Sequence, residues 1–180
     1  MSSVVISGDT SGAITLSAPA VAGTNTVTIP AVTGTVMVSG NMPAFSAYQS
    51  SAQTGIATVT TTKITFDTEE FDTNNNFASS RFTPTVAGYY QVNGGATVNS
   101  ITPTISCIIN IYKNGSNYKN GCTAKPSTSN YATSIASTLV YLNGSTDYVE
   151  LYIYGDVGVS YSLIAGLPST FFSATLVRSA

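Results

Sequence analysis

Short runs that alternate apolar and polar residues, broken by Gly, Asn, Ser and Pro, fill the chain from Pro43 to its end. Such runs read as β-strands joined by close turns. Strands are predicted near residues 44–49, 63–66, 80–84, 88–98, 105–113, 116–122, 133–142, 146–154 and 170–178. The clearest alternation sets Tyr148, Glu150, Tyr152 and Tyr154 against Val149, Leu151 and Ile153. Apolar residues nowhere recur at a sustained 3.6-residue period, so very little helix is expected. Phe66, Phe71, Phe77 and Phe82 are spaced too widely for one strand and read as anchors under a polar excursion. Asn114-Gly115 stands between two alternating runs and predicts a two-residue type I′ hairpin, since both turn positions need positive φ. An unbroken register from that turn puts Cys107 opposite Cys122, at a spacing a disulfide tolerates. No secretion signal accompanies the pair, so two small buried thiols are the preferred reading.

Residues 1–42 follow a different pattern. They contain no aromatic residue, and Asp9 is the only charge before Lys63. An echo runs through them: Ile14-Thr15-Leu16 then Ala20-Val21-Ala22-Gly23-Thr24, repeated as Val27-Thr28-Ile29 then Ala31-Val32-Thr33-Gly34-Thr35. Each unit reads as a short strand and a turn with too little apolar bulk to form a core alone, so neighbouring chains or a partner surface would cover it. A flexible Ser/Thr/Gly linker is the other reading. The expected organisation is therefore residues 1–42 as a β-rich stalk or anchor and residues 43–180 as the folded head.

Composition narrows the function classes. Six basic and eight acidic residues make up 8% of the 180 positions and give a net charge of −2, well below the quarter typical of soluble domains. With no basic patch, nucleic acid is not expected as a partner. No apolar run approaches a membrane-spanning length, and no membrane insertion is expected. The start, MSSVVISGDT, lacks the basic and long apolar parts of a signal peptide. A surface so poor in charge favours association, so an oligomer is expected.

Catalytic chemistry is sparse. The chain has no histidine, which removes the commonest general base and metal ligand. No phosphate-binding glycine loop occurs, and two cysteines do not make a structural zinc site. Asp67, Glu69, Glu70 and Asp72 read as a solvated face rather than paired catalytic carboxylates. Calcium could use these acids, or Asp147 and Asp156, but no EF-hand spacing supports it. No enzyme activity, cofactor or metal is predicted. The 11 tyrosines mostly read as half-buried strand positions. Tyr131 and Tyr161, placed in loops by the pattern, are the candidates for ligand or partner contact.

Pro43-Ala44-Phe45-Ser46-Ala47-Tyr48, Phe66-Asp67-Thr68, Phe71-Asp72, Asn75-Asn76-Phe77, Arg81-Phe82, Val86-Ala87-Gly88-Tyr89-Tyr90, Ile111-Tyr112-Lys113-Asn114-Gly115, Asp147-Tyr148-Val149 and Phe171-Phe172-Ser173-Ala174 occur in that order. This series resembles a C1q/TNF-like globular head. The resemblance implies an all-β jelly-roll sandwich forming an obligate trimer. It also implies a core and threefold framework of Phe45, Tyr48, Phe66, Phe71, Phe77, Phe82, Gly88, Tyr90, Val149 and Phe172. No Gly-x-y collagen stalk precedes the head. Residues 7–40 are similar instead to low-charge strands of structural and fibre proteins in tailed bacteriophages. Together these resemblances imply a non-enzymatic virion protein, a head fibre, capsid decoration or tail-fibre knob that folds in the host cytoplasm. On this reading residues 1–42 dock on a capsid or tail protein. The alternative is a receptor-binding tip that recognises a host surface glycan or protein through loops near 100–103, 125–131 and 155–161.

Overall fold

The computed structural model describes residues 3–29, 31–34, 36–99, 106–125, 131–156 and 158–180. The chain divides into two compact units, Met1–Gly34 and Thr35–Ala180. The division falls ahead of the expected boundary at residue 42 because Met37 already packs against the core of the second unit.

In the first unit, β1 (Ser3–Ser7) and β2 (Ala13–Ser17) form an antiparallel ribbon with Val4 opposite Leu16 and Ile6 opposite Ile14. The Gly8 amide donates to the Gly12 carbonyl at 3.0 Å, and Gly12 supplies the positive φ (78°) that closes the turn. Its apolar side chains are exposed on both faces, from 55% for Ile6 to 67% for Ile14. The echo does not give two like units: Ile14-Thr15-Leu16 forms a strand, whereas Val27-Thr28-Ile29 forms none. The first run finds a pairing partner in residues 3–7, and the second pairs with no strand among the described residues.

The second unit is a sandwich of two antiparallel sheets. Its strands are β3 (Ala44–Tyr48), β4 (Thr62–Lys63), β5 (Thr68–Asp72), β6 (Phe77–Ala78), β7 (Arg81–Phe82), β8 (Gly88–Asn99), β9 (Ser106–Lys113), β10 (Ser116–Ala124), β11 (Tyr131–Leu142), β12 (Val149–Asp156), β13 (Ser162–Leu163) and β14 (Thr170–Ser179). One sheet runs β10-β9-β12-β7-β6, with β4 also on β12. The other runs β11-β8-β14-β3-β5, with β13 also on β8. A single 3-10 turn, Ser39–Asn41, precedes β3, and no α-helix occurs among the described residues.

Alternation decides which side chains fill the space between the sheets. Val149, Leu151 and Ile153 of β12 and Ile109 and Ile111 of β9 meet Tyr90, Val92 and Val98 of β8 and Leu142 of β11 there, all of them buried. Phenylalanines fill the other end. Phe45 stacks on Phe77 and on Phe82, each at 4.6 Å between ring centres, and takes Phe172 edge-on at 5.0 Å. Phe66 tilts against Phe172 at 5.6 Å. Close approach requires glycine at Gly94, where a methyl group would occupy the position of the Leu151 side chain.

The Asn114-Gly115 turn has φ of 52° and 76°, both positive, as a type I′ hairpin requires. The register beyond it does not stay ideal. Irregularities between Asn117 and Lys119 and between Asn120 and Thr123 leave Cys107 opposite Ala124 rather than Cys122. Each extra residue in β10 displaces the following pairs. Both cysteines are free; Cys107 is buried, but Cys122 is exposed, so the expected pair of buried thiols is corrected to one. Burial pushes the Cys107 thiol up to about 11.

The second irregularity turns β10 toward β11 of the opposite sheet. Ser134, fully buried on β11, donates its hydroxyl to the Cys122 carbonyl at 2.6 Å and accepts the Ile109 amide at 2.9 Å. The Cys122 sulfur accepts the Ile135 amide at 3.1 Å. Gly121 has no room for a side chain between the Ile109 and Ile135 carbonyls. One serine thus ties the two sheets together along this side.

Candidate functional site

The outer face of the β11-β8-β14-β3-β5 sheet is the most unusual surface of the second unit. Strands β3, β8 and β11 contain no charged residue, and β14 contains only Arg178. Pairing orders the outward side chains into rows. Tyr48, Phe171, Gly95 and Ile135 form one row; Ser46, Ser173, Asn93 and Ser137 form the next; Ala44, Thr175, Gln91 and Leu139 form a third. Tyr89 and Tyr141 then meet edge-on at 5.5 Å. Gly95 is required in the first row, since the Phe171 ring lies over it and a Cβ there would stand 2.5 Å from that ring.

The polar row is bonded along its length and at its edge, where Ser46 donates to Glu70 Oε2 of β5 at 2.7 Å. Ser137 donates to Asn93 Oδ1 at 2.8 Å, and Gln91 Nε2 donates to Ser137 at 2.9 Å. Thr97 and Thr133 share a hydroxyl bond at 2.9 Å. The apolar rows remain open, with Ile135 51%, Leu139 50%, Tyr89 41% and Tyr141 41% exposed. A wide patch of aliphatic and aromatic side chains with internally paired hydroxyls and amides is typical of a protein contact surface.

The framework residues named from the sequence separate between the core and this face. Phe45, Phe66, Phe77, Phe82, Gly88, Tyr90, Val149 and Phe172 are buried between the sheets. Tyr48 is half-buried in the outer apolar row. Phe71 is half exposed, not an anchor under the excursion, because it pairs with Ser46 on the outward side of β5. Tyr131 is exposed but opens β11 opposite Asn99 instead of lying in a loop. Tyr161 is buried, so it is not a contact residue: it bridges to Ile56 and packs on Gly155, where its ring would be 2.9 Å from an added Cβ. Burial pushes its phenol up to about 12. Of the three candidate contact loops, residues 100–103 and 126–130 lie outside the described residues, as does residue 157.

The acids Asp67 and Asp72 serve the backbone. Asp67 accepts the Ser50 and Ser51 amides at 2.6 and 3.3 Å, and the Ser50 bond leads in holding its carboxyl below the usual range. Asp72 accepts the Phe77 amide at 2.7 Å and the Asn74 amide at 3.2 Å. No group of three His, Cys, Asp or Glu residues able to hold a metal ion occurs among the described residues.

A charged centre lies on the outside of the other sheet. Glu150, only 2% exposed, accepts Lys63 Nζ at 2.7 Å and Arg81 Nε at 2.9 Å on the same oxygen, Oε1. The Arg81 guanidinium lies 3.8 Å above the Tyr148 ring. Tyr152 reaches Glu150 Oε2 at 3.4 Å and stacks on Tyr112 at 4.0 Å. Burial alone would raise the Glu150 carboxyl, but the bonds and charges of Lys63 and Arg81 outweigh it and hold the group below its ordinary value. Sequence reasoning missed this centre because its cations lie 87 and 69 residues away from the carboxylate. The available signal was a lone acid at an outward position between two tyrosines.

Comparison with solved structures places the architecture. Murine APRIL at pH 5.0 superposes with a TM-score of 0.56 at 9% identity, covering 76% of this chain and 99% of that one. The fold is a TNF-like jelly roll. Murine APRIL at pH 8.5 gives a TM-score of 0.54 at 10% identity, with the same two coverages of 76% and 99%. Eiger TNF from S. frugiperda gives 0.52 at 9% identity, covering 77% of this chain and 93% of that one. At such identities the likeness is one of fold. No family model matches the chain, and no curated protein does. The TNF-like head read from the order of Phe, Tyr and Gly residues is thus present as architecture.

Proposed function

We propose that this chain is a non-enzymatic structural protein of a bacteriophage particle, a homotrimer whose TNF-like heads associate through the outer face of the β11-β8-β14-β3-β5 sheet. The uncharged, half-exposed apolar rows of that face are the observation that carries the reading. A monomer would leave Ile135, Leu139, Tyr89 and Tyr141 in water, whereas a second copy would cover them. The fold and the scarcity of charge agree with this arrangement.

The first unit is the attachment segment. Its ribbon exposes valine, isoleucine and leucine on both faces and has no core of its own, so it folds stably only against another surface. A capsid or tail protein is the surface proposed. The position on the particle, whether head fibre, decoration or tail tip, follows from what that surface is.

Sedimentation of the purified chain tests the assembly, with a trimer expected for the native protein. Leu139→Glu and Ile135→Glu place charges on the contact face without touching the core and should yield folded monomers. Removing residues 1–34 should leave the trimer intact and abolish incorporation into particles. Monomeric native protein, or truncated protein that still decorates particles, would overturn the reading.

A further inference from the structure

The Glu150 centre does more than neutralise a buried acid. One carboxylate needs one cation, yet two of the chain's six basic residues converge on a single oxygen. The surplus positive charge faces an open pocket of about 440 Å³ lined by Lys63, Asn75, Ala78, Ser79, Arg81 and Thr83, among others. That volume lies in the range of small-molecule sites.

The donors of this pocket are held in place but not used up. Lys63 Nζ donates to Glu150 and to the Ser79 carbonyl at 2.9 Å, which leaves one of its three hydrogens. Arg81 donates only through Nε and rests its guanidinium face on Tyr148, so both terminal nitrogens keep hydrogens for a ligand. The Asn75 carboxamide and the hydroxyls of Ser79 and Thr83 likewise form no hydrogen bond among the described residues. Ala78 is the only apolar residue of the lining.

The backbone around it is strained. Ser79 and Ser80 make the two-residue β6–β7 turn with φ of 51° and 58°, and Asn75 stands at 52°. Positive φ disfavours serine, whereas glycine would take it freely. The turn is fixed by Ser80, whose buried hydroxyl accepts the Phe66 amide at 2.8 Å. Strain kept in place by such anchoring is found at ligand sites.

We propose that this pocket binds an acidic sugar, a pyranose carrying a carboxylate. The carboxylate sits against the free hydrogens of Lys63 and Arg81, in the charge-assisted geometry a guanidinium favours. The ring hydroxyls bond Asn75, Ser79 and Thr83. A lining with one apolar residue offers nothing to a hydrophobic ligand, and one surplus charge is too little for a nucleic-acid backbone. The site is independent of trimer formation and of particle docking, so neither stands or falls with it.

Calorimetric titration of the full chain with sodium glucuronate, glucose and sodium sulfate at one ionic strength tests the proposal. Glucuronate should bind about ten- to a hundredfold more tightly than glucose, the worth of a charged hydrogen-bonded pair. Arg81→Gln should weaken binding at least about tenfold by the same measure. That variant leaves Glu150 with one cation, so Ala78→Trp, which fills the pocket from an exposed position, supplies a second readout and should abolish binding. Equal affinity for glucose, a preference for sulfate, no binding of glucuronate, or undiminished binding by folded Ala78→Trp would each overturn it.

Discussion

Replacing Ser134 by alanine removes one oxygen that serves both sheets. In the native protein it accepts the Ile109 amide and donates to the Cys122 carbonyl, at 2.9 and 2.6 Å. The amide belongs to a fully buried residue, and water has no path to replace the lost acceptor. Leaving it unpaired costs about 1–3 kcal/mol. Cys122 is exposed, so its carbonyl can recruit water and forfeits only the net worth of one bond, about 1 kcal/mol. The sum is about 2–4 kcal/mol, which for a unit of this size lowers Tm by about 4–16 °C. Urea unfolding at one fixed protein concentration measures it, since association adds to apparent stability. Hydrogen exchange at the Ile109 amide should quicken in parallel. Ser145→Ala, which removes only an exposed local bond to Asn143 at 3.3 Å, serves as control and should change stability by less than about 0.5 kcal/mol. If Ser134→Ala matches that control, the serine does not join the sheets energetically and the reasoning fails.

Three further outcomes follow from the same structure. Glu150 is held below its ordinary value near 4.5, so the unfolded chain binds this proton more readily. The stability it confers is complete above that pH and is lost as pH falls through the folded value. Glu150→Gln should therefore cost about 2–4 kcal/mol at pH 7, and unfolding at pH 3 should show a smaller gap; an unchanged gap would refute the pairing. Val59 is exposed with φ of 56°, a poor conformation for a β-branched residue; Val59→Asn should raise Tm, with a gain of about 1 kcal/mol. A thiol reagent should modify Cys122 promptly and Cys107 only after denaturation, because Cys107 is buried. Mass spectrometry of the native protein would find two rapid modifications if that burial is wrong.

Much of the fold could be read from the alternation, because a half-buried strand writes its period into the side chains. β8, β11, β12 and β14 are long enough for that period to repeat. Asn114-Gly115 was equally legible, since few dipeptides favour positive φ twice. The two-residue strands β4, β6 and β13 have no period to display and exist only through β12, β7 and β8. The β10 irregularities were hidden for a related reason: Gly121 is set by the closeness of β11, a contact between distant parts of the chain. Phe71 and Tyr161 show the limit for single residues. An aromatic ring states that it is large and apolar, but its strand neighbour decides whether it faces the core. The charged pocket was least legible of all, because Lys63, Arg81 and Glu150 come from three strands with no local signature.

The outer face of the β8-bearing sheet has a chemical consequence of its own. The chain has no histidine, and β3, β8 and β11 carry no acidic or basic side chain. At the margin of the rows Glu70 of β5 accepts the Ser46 hydroxyl at 2.7 Å, and elsewhere along them salt has little charge to screen. A contact built from Phe171, Ile135, Leu139 and the paired hydroxyls of Ser137 and Thr133 would therefore depend little on ionic strength. Association of the proposed trimer should accordingly change little between low and high salt.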